Sequence, residues 1–139
     1  MLRTRMMWSL LAFPLLLLLP SRGSASPILS VSPASSTASV GDTVTIAVNI
    51  GGVTDLYDYQ LDLNFDPTVL QASSVSEGTF LAGAGTTFFL PGTIDNVGGS
   101  VSFNADTLLS AVSGASGSGT LLDFTFYRSR FRYEQFDDL

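Results

Sequence analysis

Hydrophobic and polar residues alternate along much of the chain, most regularly between residues 43 and 65. The first part of this stretch places four branched apolar residues on one side of an extended chain: Val44, Ile46, Val48 and Ile50. Small or polar residues lie between them. Such period-2 alternation is typical of a β-strand with one buried face and one solvent-exposed face. It predicts a strand over residues 43–50, followed by a connection at residues 51–55.

A second alternating strand, with larger side chains, follows at residues 56–65. Its apolar face carries Tyr57, Tyr59, Leu61, Leu63 and Phe65. Its polar face carries Asp58, Gln60, Asp62 and Asn64. The apolar face predicts a contribution to a core, and the polar face predicts an open, solvent-exposed surface.

Shorter apolar segments, separated by Gly, Pro and Asp turns, predict further strands at residues 27–33, 69–75, 86–90, 93–96, 100–104 and 119–126. The first of these is bounded by Pro27 and Pro33, as is typical of an edge strand. Residues 93–96 and 100–104 flank a glycine-rich turn and predict a hairpin. At most a short helical turn is expected, at residues 107–112. About eight short strands without a long helix predict an all-β sandwich.

Aromatic residues at alternating positions are assigned to the core of this sandwich: Tyr57, Tyr59, Phe65, Phe103, Phe124 and Phe126. Phe88 and Phe89 are adjacent, so only one of the two rings can face inward. Exposed aromatic rings stack on sugar rings, and both residues are therefore candidate sugar contacts.

The first 25 residues have the three parts of a secretory signal. Arg3 and Arg5 precede an apolar run at residues 8–19, and small residues lead to a cleavage site after Ala25. The run is short for a bilayer span and Pro14 interrupts it. We expect export, without stable membrane insertion after cleavage. An exported domain without cysteine is typical of a bacterial protein, either secreted or at the cell surface.

Charge is distributed unevenly along the chain. Residues 26–126 contain nine acidic residues and no basic residue, which disfavours binding to nucleic acid. Residues 127–139 form an atypical tail with three arginines: Arg128, Arg130 and Arg132. Two interpretations of the tail remain open. It is either an exposed charged extension, or the product of a reading frame that changes near Phe126 and replaces the natural last strand.

Candidate catalytic groups are few. The chain has no His and no Cys, which excludes Ser–His and Cys–His nucleophilic pairs and disfavours a zinc site. Glu77 is the only Glu before the tail, and spacing singles out no carboxylate pair. We therefore predict that the protein is not an enzyme.

The acidic composition would attract cations, basic partners or calcium. Asp62 to Asp66 resembles the start of a calcium loop, but Pro67 replaces the required glycine and Ser73 stands at the twelfth position. Weak calcium candidates remain among acids assigned to loops: Asp55, Asp66, Asp95 and Asp106. No other cofactor is predicted.

Three segments, at residues 41–50, 56–70 and 77–81, are together similar to the cohesin domain family. Residues 65–70 (Phe-Asp-Pro-Thr-Val-Leu) resemble the family's aromatic-Asp-Pro-x-Val-Leu turn, and residues 119–126 resemble its penultimate strand. The resemblance implies a jelly-roll sandwich of about eight to nine strands, related in fold to carbohydrate-binding modules. The domain would span residues 26–126 and lack its last strand.

The resemblance also implies a function. Cohesins are non-catalytic modules that bind dockerin modules in polysaccharide-degrading assemblies. Carried over to this chain, the dockerin-facing residues are Asp58, Gln60, Asp62 and Asn64, with Gln60 standing where well-studied cohesins have an Asp. The chain also resembles exported bacterial proteins of the PEP-CTERM kind. A carbohydrate-binding module that acts directly on an extracellular polysaccharide remains the alternative.

Overall fold

The computed structural model describes residues 26–109 and 113–129. The predicted signal segment (1–25) and residues 130–139 of the tail lie outside the described residues. Eight strands and one short helix are present among the described residues. Their bounds are β1 Ile28–Ser32, β2 Thr43–Leu56, β3 Asp58–Asn64, β4 Leu70–Glu77, α1 Thr79–Ala82, β5 Thr87–Leu90, β6 Thr93–Asp95, β7 Ser100–Leu108 and β8 Ala115–Arg128.

The strands form two antiparallel sheets. The first sheet has the order β1-β2-β8-β4, and the second has the order β3-β7-β5 with β6 also paired to β7. The two sheets face each other across one apolar core. The prediction of an all-β sandwich is confirmed.

The inner faces of the two sheets form the core as the alternation predicts. Val48 and Ile50 of β2 are buried, as are Phe124 and Phe126 of β8. Phe65 packs edge-on against Phe126, with ring centroids 5.2 Å apart. Each buried side chain of this size contributes about 1.5–3 kcal/mol to folding. The long β2–β8 pair therefore supplies much of the apolar surface that stabilises the domain.

The predicted connection at residues 51–55 is instead part of β2, which runs without interruption to Leu56. Asp55 adopts a left-handed backbone conformation (φ 60°), and the chain then crosses to the second sheet. Tyr57 lies at this crossing and is 40% exposed. Its assignment to the core is therefore wrong, because the crossing between the sheets breaks the alternation that residues 56–65 would keep in a single strand.

Phe103 was also assigned to the core, and this prediction is wrong as well. Opposite β3, strand β7 carries a bulge: Leu61 pairs with Asn104, but Leu63 pairs with Val101. The extra residue reverses the direction of the next side chain, and Phe103 is 56% exposed on the outer face of the sheet. Its φ of 64° is rare for a bulky residue and costs about 1–3 kcal/mol.

The short helix α1 closes one end of the sandwich. Leu81 on this helix is buried and packs with Leu108 and Ala115 in a second, small apolar cluster. The helical turn predicted at residues 107–112 is wrong for Thr107 and Leu108, which lie in β7, while residues 110–112 are outside the described part. Among the described ranges, no helix has the length and apolar character needed to cross a membrane.

Turns fix how the strands leave the sheets. Asp66 accepts a hydrogen bond from the Thr68 amide at 2.9 Å, confirming the predicted Asp-Pro turn after β3. The predicted glycine-rich hairpin joins β6 and β7. Gly99 in this hairpin has φ 72°, and a Cβ atom there would lie 2.3 Å from the Phe65 carbonyl oxygen, so only glycine fits. This contact fixes the end of β3 against the hairpin.

Candidate binding face

The outer face of the second sheet brings most of the predicted contact residues together. We call this surface the binding face and define it by the outward residues of three strands: Asp58, Gln60, Asp62 and Asn64 of β3, Phe103, Ala105 and Thr107 of β7, and Phe88 and Leu90 of β5. The four β3 residues are all exposed, as their alternation predicts.

Strand register sets which residues are neighbours across the binding face. Asp58 lies opposite Thr107, which lies opposite Phe88 on its other side. In the next row, Gln60 lies opposite Ala105, which lies opposite Leu90. Side chains directly opposite each other on one face are about 4.5–5.5 Å apart at Cβ. The face therefore has acidic and polar groups at its β3 side and apolar groups at its β5 side.

The pair Phe88 and Phe89 divides between the two faces of β5. Phe88 is 53% exposed on the binding face, whereas Phe89 packs against the core. The prediction that only one ring faces inward is confirmed. The prediction of Phe89 as a sugar contact is wrong, because its side chain points inward and packs, partly buried, against the core cluster.

Asp62 is exposed on the binding face and also bonds to the backbone of β7. Its Oδ1 atom accepts a hydrogen bond from the backbone amide of Phe103 at 2.6 Å. This amide belongs to the bulge in β7. The Asp62 carboxylate therefore holds the bulge from the outer side, and with it the exposed Phe103 ring.

The charge of the binding face is negative. Asp58 and Asp62 are its two carboxylates, and it contains no basic residue. Within the described ranges, the single basic residue is Arg128 at the end of β8, where its guanidinium donates to the carbonyl oxygen of Ala38. A negative face with apolar neighbours attracts partners that carry basic groups beside an apolar surface.

Asp106 was predicted to be a loop acid and a calcium candidate, but it lies in β7 with its side chain inside the sandwich. It is 2% exposed, and neither carboxylate oxygen has a hydrogen-bond partner. Burial, together with the nearby Glu77 carboxylate, raises the pKa of Asp106 to about 6. This residue therefore forms an internal acidic pair with Glu77 and is not part of the surface.

Tyr59 lies beside this internal pair and links the two sheets. Its hydroxyl donates to the carbonyl oxygen of Leu121 on β8 at 2.7 Å. Burial, and then the charges of Asp106 and Glu77, raise the pKa of Tyr59. Its predicted place in the core agrees with its packing against the main cluster.

The other three calcium candidates lie apart from one another and accept hydrogen bonds from backbone amides. Asp55 is near the end of β2, Asp66 is in the turn after β3, and Asp95 ends β6, so the assignment to loops is wrong for Asp55 and Asp95. Asp55 accepts from the Gly114 amide at 2.9 Å, and Asp95 accepts from the Val97 and Gly98 amides. Hydrogen bonds lower the pKa of Asp66, through Thr68, and of Asp95, through Gly98 and Val97. Across the described part of the chain, no three acidic side chains come together as a metal site would require. Calcium binding stays a prediction for these residues.

Four residues of the binding face were not predicted as contacts from the sequence, and the two large ones among them are Leu90 and Phe103. Leu90 follows Phe89 and resembles an ordinary strand residue, and Phe103 was assigned to the core. The signal for Leu90 was present in the alternation, which places it on the same side as Phe88. No local sequence signal marks the bulge that exposes Phe103.

Similar solved structures are cohesins from Acetivibrio cellulolyticus. One is a type II cohesin–X–dockerin complex with an N-terminal interface mutation (19% identity, TM-score 0.62, covering 77% of this chain and 74% of that chain). Another is a type II cohesin domain from the cellulosome (23% identity, TM-score 0.59, covering 77% and 71%). A third is the second type II cohesin module of the ScaA scaffoldin (20% identity, TM-score 0.57, covering 75% and 64%).

None of the curated proteins is significantly similar to the chain. The family model described as "Cohesin domain" matches residues 29–127, which include every described strand except the first residue of β1 and the last residue of β8. At this level of identity the solved structures establish the fold, and the family match establishes the relationship. The chain belongs to the cohesin domain family, whose domains are non-catalytic protein–protein interaction modules.

Proposed function

We propose that this cohesin domain is exported and binds a dockerin-type module through the binding face, as part of an assembly that degrades polysaccharide. The family match supports the dockerin partner, and one similar solved structure is a cohesin–X–dockerin complex. The pattern of residues 1–25 supports export.

The observation that carries the proposal is the composition of the binding face. It joins the carboxylates of Asp58 and Asp62 to the exposed apolar side chains of Phe88, Leu90 and Phe103. Exposed apolar groups beside unpaired charges are typical of a protein interface, because the apolar groups supply burial and the charges select the partner.

Direct binding to a polysaccharide is the second candidate. The exposed ring of Phe88 favours it, because a flat aromatic face at the surface can stack on a sugar ring. In this alternative the face would need no basic partner, and the acidic residues of β3 would contribute hydrogen bonds to hydroxyl groups.

The experiment is a calorimetric titration of the full-length protein with a panel of purified type I and type II dockerin modules. Asp58→Arg reverses a charge on the binding face, and we expect it to weaken binding by about tenfold or more. Asp123→Arg is the matched control, because it makes the same charge change on the first sheet, where Asp123 pairs with Ala47 and Ser76. This control should bind as the wild type does.

Two results would contradict the proposal. One is the absence of binding to every dockerin of the panel. The other is equal loss of binding in Asp58→Arg and Asp123→Arg, which would place the interface elsewhere. Binding to a soluble polysaccharide that Phe88→Ala abolishes, without any dockerin binding, would support the carbohydrate-binding alternative.

A further inference from the structure

The bulge in β7 is held in place from both sides of the sheet. Between the pairs Leu61–Asn104 and Leu63–Val101, β7 has one residue more than β3. On the inner side, the buried Asn104 side chain donates to the Leu61 and Val101 carbonyl oxygens at 3.1 and 2.9 Å. On the outer side, Asp62 accepts from the Phe103 amide. The bulge is therefore a fixed feature of the sheet.

The backbone at Phe103 is strained, and the Phe103 side chain itself gains no packing inside the domain from that strain. Its φ of 64° lies in the region that favours glycine. The ring that this conformation exposes makes no contribution to the core cluster. Strain that persists at an exposed residue is a reason to look for a function, since bulges can re-aim a side chain toward a ligand.

The surroundings of Phe103 match an interface anchor. Asp62 of β3 lies opposite the bulge on one side. On the other side is Leu90 of β5, which shares the face and pairs with Ala105, two residues after Phe103 in β7. A large ring between an acidic and an apolar neighbour fits an apolar pocket with a basic group at its rim.

We propose that Phe103 is the anchor of the dockerin interface, and that Asp62 is a positioning residue that acts through it. This inference rests on the proposed function and deepens it, because it assigns the main contact to β7 and not to the acidic row of β3. The Asp62 carboxylate contributes by holding the Phe103 amide, so that the ring projects from the binding face.

Phe103→Gly separates binding from stability. Glycine adopts φ 64° without strain, so the melting temperature should stay equal to that of the wild type or rise. Removal of the ring should weaken dockerin binding by about tenfold or more, as for other interface anchors. Tyr127→Ala is the matched control, because Tyr127 is a 50% exposed aromatic residue on the outer face of the first sheet. This control should retain the wild-type affinity.

Conservative substitution tests the positioning role of Asp62. Asp62→Asn keeps an oxygen that can accept from the Phe103 amide, so it should retain most of the affinity, whereas Asp62→Ala should lose it. In the Phe103→Gly background, Asp62→Ala should cause no further loss, because the two residues act as one unit. Equal losses in Asp62→Asn and Asp62→Ala would show that the charge itself is the contact and would overturn the positioning role.

The possible failures are distinguishable. If the wild type binds no dockerin of the panel, both the proposed function and this inference fail. If the wild type binds and Phe103→Gly binds equally well, only the inference fails. A lower melting temperature for Phe103→Gly would also overturn it, since the ring would then contribute to stability of the free domain.

Discussion

At the scale of single residues, the least expected feature is a carboxyl group inside the sandwich. Asp106 faces the core between Tyr59 of β3 and Phe89 of β5, close to Glu77 of β4. Burial of a charge without hydrogen bonds is costly, and this cost raises the pKa of the Asp106 carboxyl group. The stability of the domain should therefore depend on the protonation of this residue.

Asp106 predicts a dependence of stability on pH. Its pKa in the folded protein is raised from 3.8 to about 6, so its contribution is fully present below about pH 4 and is lost as the pH rises through 6. Asp66 and Asp95, whose pKa values are lowered, change charge at more acidic pH. We therefore expect the melting temperature to fall between about pH 4 and pH 7 and to level off above that.

Asp106→Asn should remove most of this fall. Because the neutral amide is less costly to bury than a carboxylate, we expect about 1 kcal/mol of stabilisation at pH 7, or a rise of about 4–8 °C in melting temperature. Asp58→Asn is the control, since it removes an exposed charge and should leave the pH dependence unchanged. Calorimetric melting at several pH values measures both. A wild-type melting temperature that does not fall between pH 4 and pH 7 would contradict this role of Asp106.

At the scale of the strands, alternation was sufficient to predict most of the sandwich. It located the strands, the buried side of β2 and the exposed row of β3, because burial of one face imposes a period of two. It failed at Tyr57, which comes two residues after the positive-φ residue Asp55, and at Phe103, which itself has a positive φ. A non-glycine residue in that conformation cannot be recognised from the sequence. Asp106 was assigned to a loop. Its burial inside a strand depends on contacts with residues distant in sequence, which the alternation pattern does not show.

The edge strand β1 carries apolar residues that the described strands leave uncovered. Leu29 and Val31 point toward the core side but remain exposed. These two side chains line a groove of about 200 Å³ between β1 and β3, which we call the open seam. Its other apolar side chains are Val48, Leu61 and Leu63. An exposed edge beside apolar side chains is a site for pairing with another chain.

Val31→Lys should therefore reduce self-association. A charge that points into the open seam opposes the addition of a strand at this edge, and the cost to stability is small because Val31 is already exposed. Light scattering at increasing protein concentration should show growth in mass for the wild type and less growth for Val31→Lys. Ser30→Lys, on the opposite side of β1, is the control for added charge and should have a smaller effect. A wild type that stays monomeric at millimolar concentration would contradict the prediction.

At the scale of the whole molecule, the two outer faces of the sandwich differ in character. The binding face joins two carboxylates to three exposed apolar side chains, whereas the outer face of the first sheet carries mainly Thr, Ser and Gln around the single ring of Tyr127, with the one carboxylate of Asp123 in β8 and Ile28 at the edge. Membership in the cohesin family makes the domain a binding module, and this asymmetry selects the face that we assign to the partner.

The most direct test of this assignment is an NMR titration of the ¹⁵N-labelled full-length protein with a dockerin that binds it. We expect the amide signals of β3, β7 and β5 to shift or broaden in the complex, with the largest changes near Phe103. Signals of β2 and β8 should change little. Changes centred on the first sheet, or no change on the second sheet at saturating dockerin, would contradict binding of the dockerin through the second sheet.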